Sequence, residues 1–220
     1  NEIDGGATLE SRIYHTTYDA LRRPLEQRLS IDGGTSWQVV EQFIYGDLSD
    51  LFPERPADQI PEAQERNLRG QFYQHYDPSG LLTNRRFGFK GNLWEVTRRL
   101  ASAYDKAIVD WSDGSATAGL EKEEFTQRTE YDALSRVTRL YNWHRRPDYV
   151  AIFEPQYNQR GLLVSQELMV GADATRSDEG NDLPYTAPAR VQAIVAMTYN
   201  AKGQRTNIQH GNGAETRYTY

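Results

Sequence analysis

The chain has 220 residues, room for one domain or two small ones, with 38% hydrophobic residues, a mean hydropathy of −0.77 and a net charge of −6. An acidic balance argues against nucleic acid, whose binders neutralise phosphates with a basic surface. The chain has no Cys, which excludes disulfides and thiolate chemistry, and no apolar run is long enough for a membrane-spanning helix. With 14 Tyr and 4 Trp but little Ile or Met, it is too polar for an ordinary sandwich core and too aromatic for disorder. A broad sheet wetted on at least one face fits this composition, held by cross-strand ladders of Tyr, Arg, Thr and Leu.

The chain opens Asn1-Glu2-Ile3 without Met or a signal-peptide pattern and stops on Tyr220. It is therefore read as a segment of a longer polypeptide. Residues 12–45 read as hairpins: Leu25 to Ile31 alternates loosely, Asp32-Gly33-Gly34 is a turn signal, and Trp37 to Tyr45 runs back. Residues 46–65, with Pro53, Pro56 and Pro61 among acids and Gln, read as an exposed loop, because Pro cannot donate to a ladder. Residues 69–100 form a three-strand meander turning at Asp77–Gly80 and Lys90–Gly91. The pattern lapses over residues 101–123, where Ala118 to Glu124 is expected as a single helical turn. Hairpins resume at Phe125 and run to Val170, with a break at His144–Pro147. A second polar loop fills the region 171–190, and Val191 to Tyr220 then gives three strands turning at Asn200–Gly203 and Gly211–Gly213. A dozen strands, at about 4.8 Å each, make a sheet on the order of 60 Å wide if flat. Sheets that wide curl, split or close as twist accumulates.

The reversals share one pattern: an aromatic, then Asp or Asn, two loose positions, and Gly. It stands at Tyr76-Asp77-Pro78-Ser79-Gly80, Tyr157-Asn158-Gln159-Arg160-Gly161 and Tyr199-Asn200-Ala201-Lys202-Gly203. Tyr18-Asp19-Ala20-Leu21-Arg22 and Tyr131-Asp132-Ala133-Leu134-Ser135 lack the Gly, while Phe87-Gly88-Phe89-Lys90-Gly91 keeps aromatic and Gly but loses the acid. The aromatic closes an incoming strand on a half-wet pleated surface. The Asx side chain accepts hydrogen bonds from backbone N–H groups just ahead. Gly at the fourth place suits a residue with positive φ, as in a type I turn followed by a bulge. Arg22 and Ser135 at that place are expected to cost roughly 1–2 kcal/mol or to bend the turn differently. Repetition of this unit makes the fold class all-β: a curled antiparallel sheet of repeated hairpins.

These residues resemble the YD or Rhs (rearrangement hotspot) repeat. Arg66-Asn67-Leu68-Arg69-Gly70-Gln71-Phe72-Tyr73-Gln74-His75-Tyr76-Asp77, Phe89-Lys90-Gly91-Asn92-Leu93 and the stretch from Tyr199 to Tyr220 are similar to the Rhs region of the B–C component of Tc insecticidal toxin complexes. Matches extend over the chain except near residues 46–65, 101–123 and 171–190, read as loop insertions. The resemblance implies a segment of a hollow shell, its site residues being the structural turns named above. Its implied partners are the rest of the shell, an enclosed C-terminal toxin polypeptide and a channel-forming toxin component. It also implies a secreted location within a toxin complex.

The residues themselves offer little chemistry. His15, His75, His144 and His210 lack metal-ligand spacing, and Gly33-Gly34-Thr35-Ser36-Trp37 fails the frame of a nucleophile elbow. Glu121, Glu123 and Glu124 read as a solvated acidic segment, and every Gly belongs to a turn rather than to a phosphate loop. No catalytic residue, metal or cofactor is expected. Of the 25 basic residues 21 are Arg, which fits Arg stacked on Tyr along a sheet, or equally codon bias. Two function classes remain open. One is the wall of a toxin-enclosing cocoon; the other is a cell-surface YD-repeat module recognising a glycan or a protein.

Overall fold

The computed structural model describes residues 11–47, 63–112, 119–172 and 190–220. The hairpins become β1 (Ile13–Tyr18), β2 (Pro24–Ser30), β3 (Gln38–Tyr45), β4 (Phe72–Asp77), β5 (Gly80–Phe87) and β6 (Leu93–Leu100). They continue as β7 (Phe125–Tyr131), β8 (Val137–His144), β9 (Val150–Tyr157), β10 (Leu163–Ala172), β11 (Arg190–Tyr199), β12 (Arg205–His210) and β13 (Glu215–Arg217). All lie in one sheet whose order is the order of the chain, from β1 to β13. The ladders are antiparallel, as short local turns require. The fold is the antiparallel sheet of repeated hairpins expected from the turn pattern. Among the described residues, only 63–65 are α-helical.

The chain divides into two compact units, one of residues 1–87 and 96–124, the other of residues 88–95 and 125–220. In the first unit the core gathers Val39, Ile44, Tyr76, Leu81, Ala101, Val109, Trp111 and Leu120, with Tyr73 packed against it. Half of that core comes from the stretch expected as a loop insertion. Ala101 and Leu120 form an antiparallel bridge, and Ser102 N–H donates to the Gly119 carbonyl at 2.9 Å. Trp111 N–H donates to the Val39 carbonyl at 2.9 Å, and its indole Nε1–H reaches the Asp77 carbonyl at 3.2 Å. The described part of 101–123 therefore covers the sheet, because its apolar side chains lose water only by docking there. The helical turn expected over Ala118–Glu124 does not form in its described part, where Leu120 pairs with Ala101 instead.

The other two expected loops fall largely on residues 48–62 and 173–189, outside the described residues. Their described ends are ordered by neighbours. Gly46 N–H donates to the Gln71 carbonyl at 3.0 Å, and Leu68 is buried at 5% exposure. Gly171 and Ala172 belong to β10, where a register shift lets Ala172 pair with Val150.

In the second unit the core is a cross-strand row. Tyr141 on β8 faces Ile152 on β9, which faces Met169 on β10. Val150 and Ala172 complete the cluster, and Ile152, Met169 and Ala172 are wholly buried.

Candidate functional site

In an antiparallel meander, successive reversals alternate between the two edges of the sheet. Four short turns of the second unit, at residues 88–91, 132–135, 158–161 and 200–203, consequently lie along one edge, and the His210–Ala214 turn lies on the other. Each is built alike. Ser135 N–H donates to the Asp132 carbonyl and Asp132 N–H to the Arg136 carbonyl, both at 2.9 Å. The same pair of bonds closes Asn158–Leu162, Asn200–Gln204 and Gly88–Asn92, and in the first unit Asp19–Arg23. This is a type I turn with a bulge, and the fourth residue has positive φ: Arg22 +63°, Gly91 +79°, Ser135 +63°, Gly161 +75°, Gly203 +80°. Arg22 and Ser135 thus adopt the same bend as the glycines.

The Asx side chains brace these loops from within. Asp132 Oδ1 accepts from the N–H groups of Leu134 at 2.8 Å and Arg136 at 3.0 Å. Asp19 accepts from Leu21 and Arg23, and Asn158 from Arg160 and Leu162. Asn200 accepts from Gln204 N–H and donates to its side-chain carbonyl. The two turns without Gly carry a further clasp: Arg23 Nε meets Asp19 Oδ2 at 2.6 Å, and Arg136 Nε meets Asp132 Oδ2 at 2.7 Å. Burial alone would raise the Asp19 carboxyl, but the Arg23 N–H and guanidinium hold it below the ordinary carboxylate value. The backbone N–H and guanidinium of Arg136 do the same for Asp132.

Asp77 and Gly80 depart from this geometry. They pair directly across β4 and β5, and Gly80 has φ +132°. Their turn lies on the opposite edge from the Asp19 turn, since an odd number of strands separates the two reversals. A Cβ on Gly80 would run into the carbonyl of Arg99, so this glycine permits a close backbone approach. Asp77 accepts Ser79 N–H and is held by both terminal nitrogens of Arg98, at 2.8 and 2.5 Å. Burial pushes its carboxyl up, and the Arg98 fork outweighs it, so Asp77 titrates below the usual range.

The repeat aromatics join one hairpin to the next. Tyr131 OH donates to the Leu93 carbonyl at 3.1 Å, and Tyr199 OH to the Leu163 carbonyl at 2.7 Å. In both cases the acceptor lies two residues after a turn glycine. Arg136 stacks over the Tyr157 ring at 5.0 Å, and Arg23 over Tyr45 at 4.2 Å. Tyr76 and Phe87 are buried, whereas Tyr18 is 60% exposed. Basic side chains at the tips then link the turns. Lys90 Nζ donates to the Ala133 carbonyl, and Arg160 Nη2 donates to the Ala201 carbonyl at 3.1 Å.

Three features escaped the sequence reading. Asp32, expected only as part of a turn signal, accepts from Ser30 Oγ, Thr35 N–H, Ser36 N–H and Ser36 Oγ at 2.6–3.1 Å. Those hydroxyls and amides, Ser36 foremost, hold its carboxyl far below the ordinary value. Trp111 is the second; apolar Val109 beside it was the available signal. The third is a ladder of ions crossing β7 to β11. Glu154, 9% exposed, meets Arg139 at 2.7 Å and Arg190 at 3.0 Å, and Arg190 also meets Glu167 at 2.8 Å. Glu130 at its other end meets Arg128 at 2.6 Å and accepts from Tyr141 OH at 3.1 Å. Burial, with Glu130 beside it, pushes the Tyr141 phenol above its ordinary range.

The histidines are packed as strand residues. His75 stacks on Phe43 at 4.6 Å, His15 meets Trp37 edge-on, and His210 lies 3.2 Å from Thr216 Oγ1. Glu124 of the acidic segment is paired with Arg85 at 2.8 Å. Among the described residues no group of three or more His, Asp or Glu is placed to hold a metal ion, and no helix is long and apolar enough to cross a membrane.

Fold and turns together define an antiparallel sheet of repeated aromatic–Asx–Gly hairpins. No protein-family model matches the chain. Toxin subunit YenC2 of Yersinia entomophaga is 24% identical over 203 residues, covering 90% of this chain and 18% of YenC2. A TcdB2–TccC3 structure without its hypervariable C-terminal region superposes with a TM-score of 0.69 at 19% identity, over 96% of this chain and 9% of that one. A Tc holotoxin pore of Photorhabdus luminescens gives 0.68 at 19% identity, over 95% of this chain and 8% of that one. The resemblance to Tc toxin YD/Rhs repeats holds, and the chain shares the fold of these structures while spanning a small fraction of their length.

Proposed function

We propose that this chain is a wall segment of a Tc-type toxin shell, sequestering a C-terminal toxic polypeptide for delivery. The observation that carries the reading is the superposition of almost the whole chain on TcdB2–TccC3 structures, together with likeness to a toxin subunit over 90% of its length. The chemistry agrees. Side chains that titrate abnormally are spent on turns and strand pairing, so the molecule invests in surface area and in cross-strand ties. A wall built this way acts by enclosing. Its partners are the rest of the shell, the enclosed polypeptide and a channel-forming component, in a secreted complex.

The test is limited proteolysis of the full polypeptide that carries this segment, intact and with residues 125–220 deleted. The downstream polypeptide is expected to resist protease in the intact protein and to be digested in the deletion. Equal digestion in both would remove the container reading. Retention of the intact protein on glycan-bearing or cell surfaces would then favour the adhesion module.

A further inference from the structure

The turn edge of the second unit carries an apolar pair that its own hairpins leave uncovered. Phe89 is 97% exposed and Leu134 72% exposed, each at the tip of its turn. The two tips adjoin, because Lys90 Nζ donates to the carbonyl of Ala133, next to Leu134. Single exposed apolar residues are ordinary, but a paired patch on neighbouring tips marks a contact surface. The charges beside it are of one sign. In these four turns the two tip positions are Phe89-Lys90, Ala133-Leu134, Gln159-Arg160 and Ala201-Lys202, all exposed, and every ionised one is a cation. The one carboxylate within these four turns, Asp132, is paired with Arg136. This edge is therefore a basic exception on a chain of net charge −6.

We propose that the edge around Phe89 and Leu134 is an interface, and that its occupant is another stretch of the same polypeptide presenting carboxylates around an apolar seat. The assignment rests on the shell reading. The chain corresponds to 18% of YenC2, so in a protein of that length most of the polypeptide lies elsewhere. A shaped protein surface suits the patch better than a lipid plane. Lys90 and Arg160 are tied along the edge to carbonyls of the next turn, which fixes their positions. An extended anionic bilayer would also meet the acidic remainder of the chain, whereas attraction within a contact acts inside the screening length of about 8–10 Å.

The experiment uses the full polypeptide with Phe89→Cys or Leu134→Cys, this segment having no Cys of its own. Maleimide labelling at each position is followed by peptide mass spectrometry, in native and in denatured protein. Native labelling is expected to be at least ~10-fold slower at both positions. Adding Lys90→Glu and Arg160→Glu is expected to bring the native rate back toward the denatured one. Rates within about twofold of the denatured protein at both positions, while the sheet still resists trypsin, overturn the proposal. Protection that rises with protein concentration overturns the choice of occupant in favour of a second copy. The protease test of the shell reads digestion of the downstream polypeptide, so the two readings fail separately.

Discussion

Asp132 and Asn158 occupy the same place in successive turns and solve the same problem with different means. Both accept from N–H groups two and four residues ahead. The Asn turns put Gly at the left-handed position, whereas the Asp132 and Asp19 turns put Ser135 or Arg22 there and add an Asp–Arg ion pair. The pair offsets part of the cost of a left-handed residue bearing a Cβ, which is of order 1–2 kcal/mol. Replacing Gly161 or Gly203 by Val is expected to cost ~1–2 kcal/mol or more for that backbone reason. Space is not the obstacle, since the nearest atoms to an added Cβ are 3.9 Å from Gly161 and 3.6 Å from Gly203. Ser135→Gly is expected to shift the urea midpoint upward, with the gain trimmed by a more flexible unfolded chain. Unchanged midpoints in all three variants would mean the left-handed turns carry no strain. The same carboxylates set the acid limit. Asp19, Asp32, Asp77 and Asp132 have folded values depressed below the ordinary 3.8, so their contribution is fully present above it and is lost as pH falls through the folded values. Melting temperature is expected to drop as pH falls below about 4, less steeply in Asp77→Asn. A parallel drop in that variant would absolve the Arg98 pair.

At the scale of the element, what the sequence disclosed was local and what it concealed was long-range. The turns are legible because aromatic, Asx and Gly stand within five residues and act on each other. Whether a turn belongs to the common edge is not legible, because edge depends on counting strands. Edge alone does not set the bend, since His210–Ala214 on the opposite edge closes with the same pair of bonds as the Asx turns; Asp77–Gly80 departs where Gly80 packs against the Arg99 carbonyl. The ion ladder at Glu154 depends on register, which bulges shift between Met169 and Ala172 and between Gln166 and Glu167. The docking of residues 101–112 depends on Asp110 Oδ1 meeting Val39 N–H across 71 positions. Its consequence is large. Trp111 is 6% exposed and packs 5.3 Å from Tyr76, so Trp111→Ala is expected to cost ~3–5 kcal/mol in a urea titration. A cost below about 1 kcal/mol would return this segment to the status of a loop. Gly211 shows a steric constraint of the same reach: a Cβ there would strike the Gln192 carbonyl on β11. Gly211→Ala is expected to weaken protection of the Gly211 amide, which now donates to Ala193 at 3.1 Å.

On the scale of the whole molecule, strands that pair only with their neighbours in sequence make stability a sum of local terms, as in other repeat proteins. Two clusters concentrate those terms. One is built on Tyr76, Trp111 and Leu120 in the first unit, the other on Tyr141, Ile152 and Met169 in the second. Their members come from different stretches of chain, and each cluster closes within its own unit. Damage to one is therefore expected to stay local. Hydrogen exchange on Trp111→Ala puts this to the test at the level of single amides. The N–H groups of β3, β4 and β5 are expected to lose protection, because the side chain that covers Tyr76 and ties to the Asp77 carbonyl is gone. Those of β8, β9 and β10 are expected to keep theirs, since Tyr141, Ile152 and Met169 pack on one another across directly paired strands. The reciprocal variant, Met169→Ala, is expected to release β8 to β10 and to leave β3 to β5 unchanged. Equal loss in both regions for either variant would show one cooperative sheet, in which the common pairing from β1 to β13 outweighs the division into two cores.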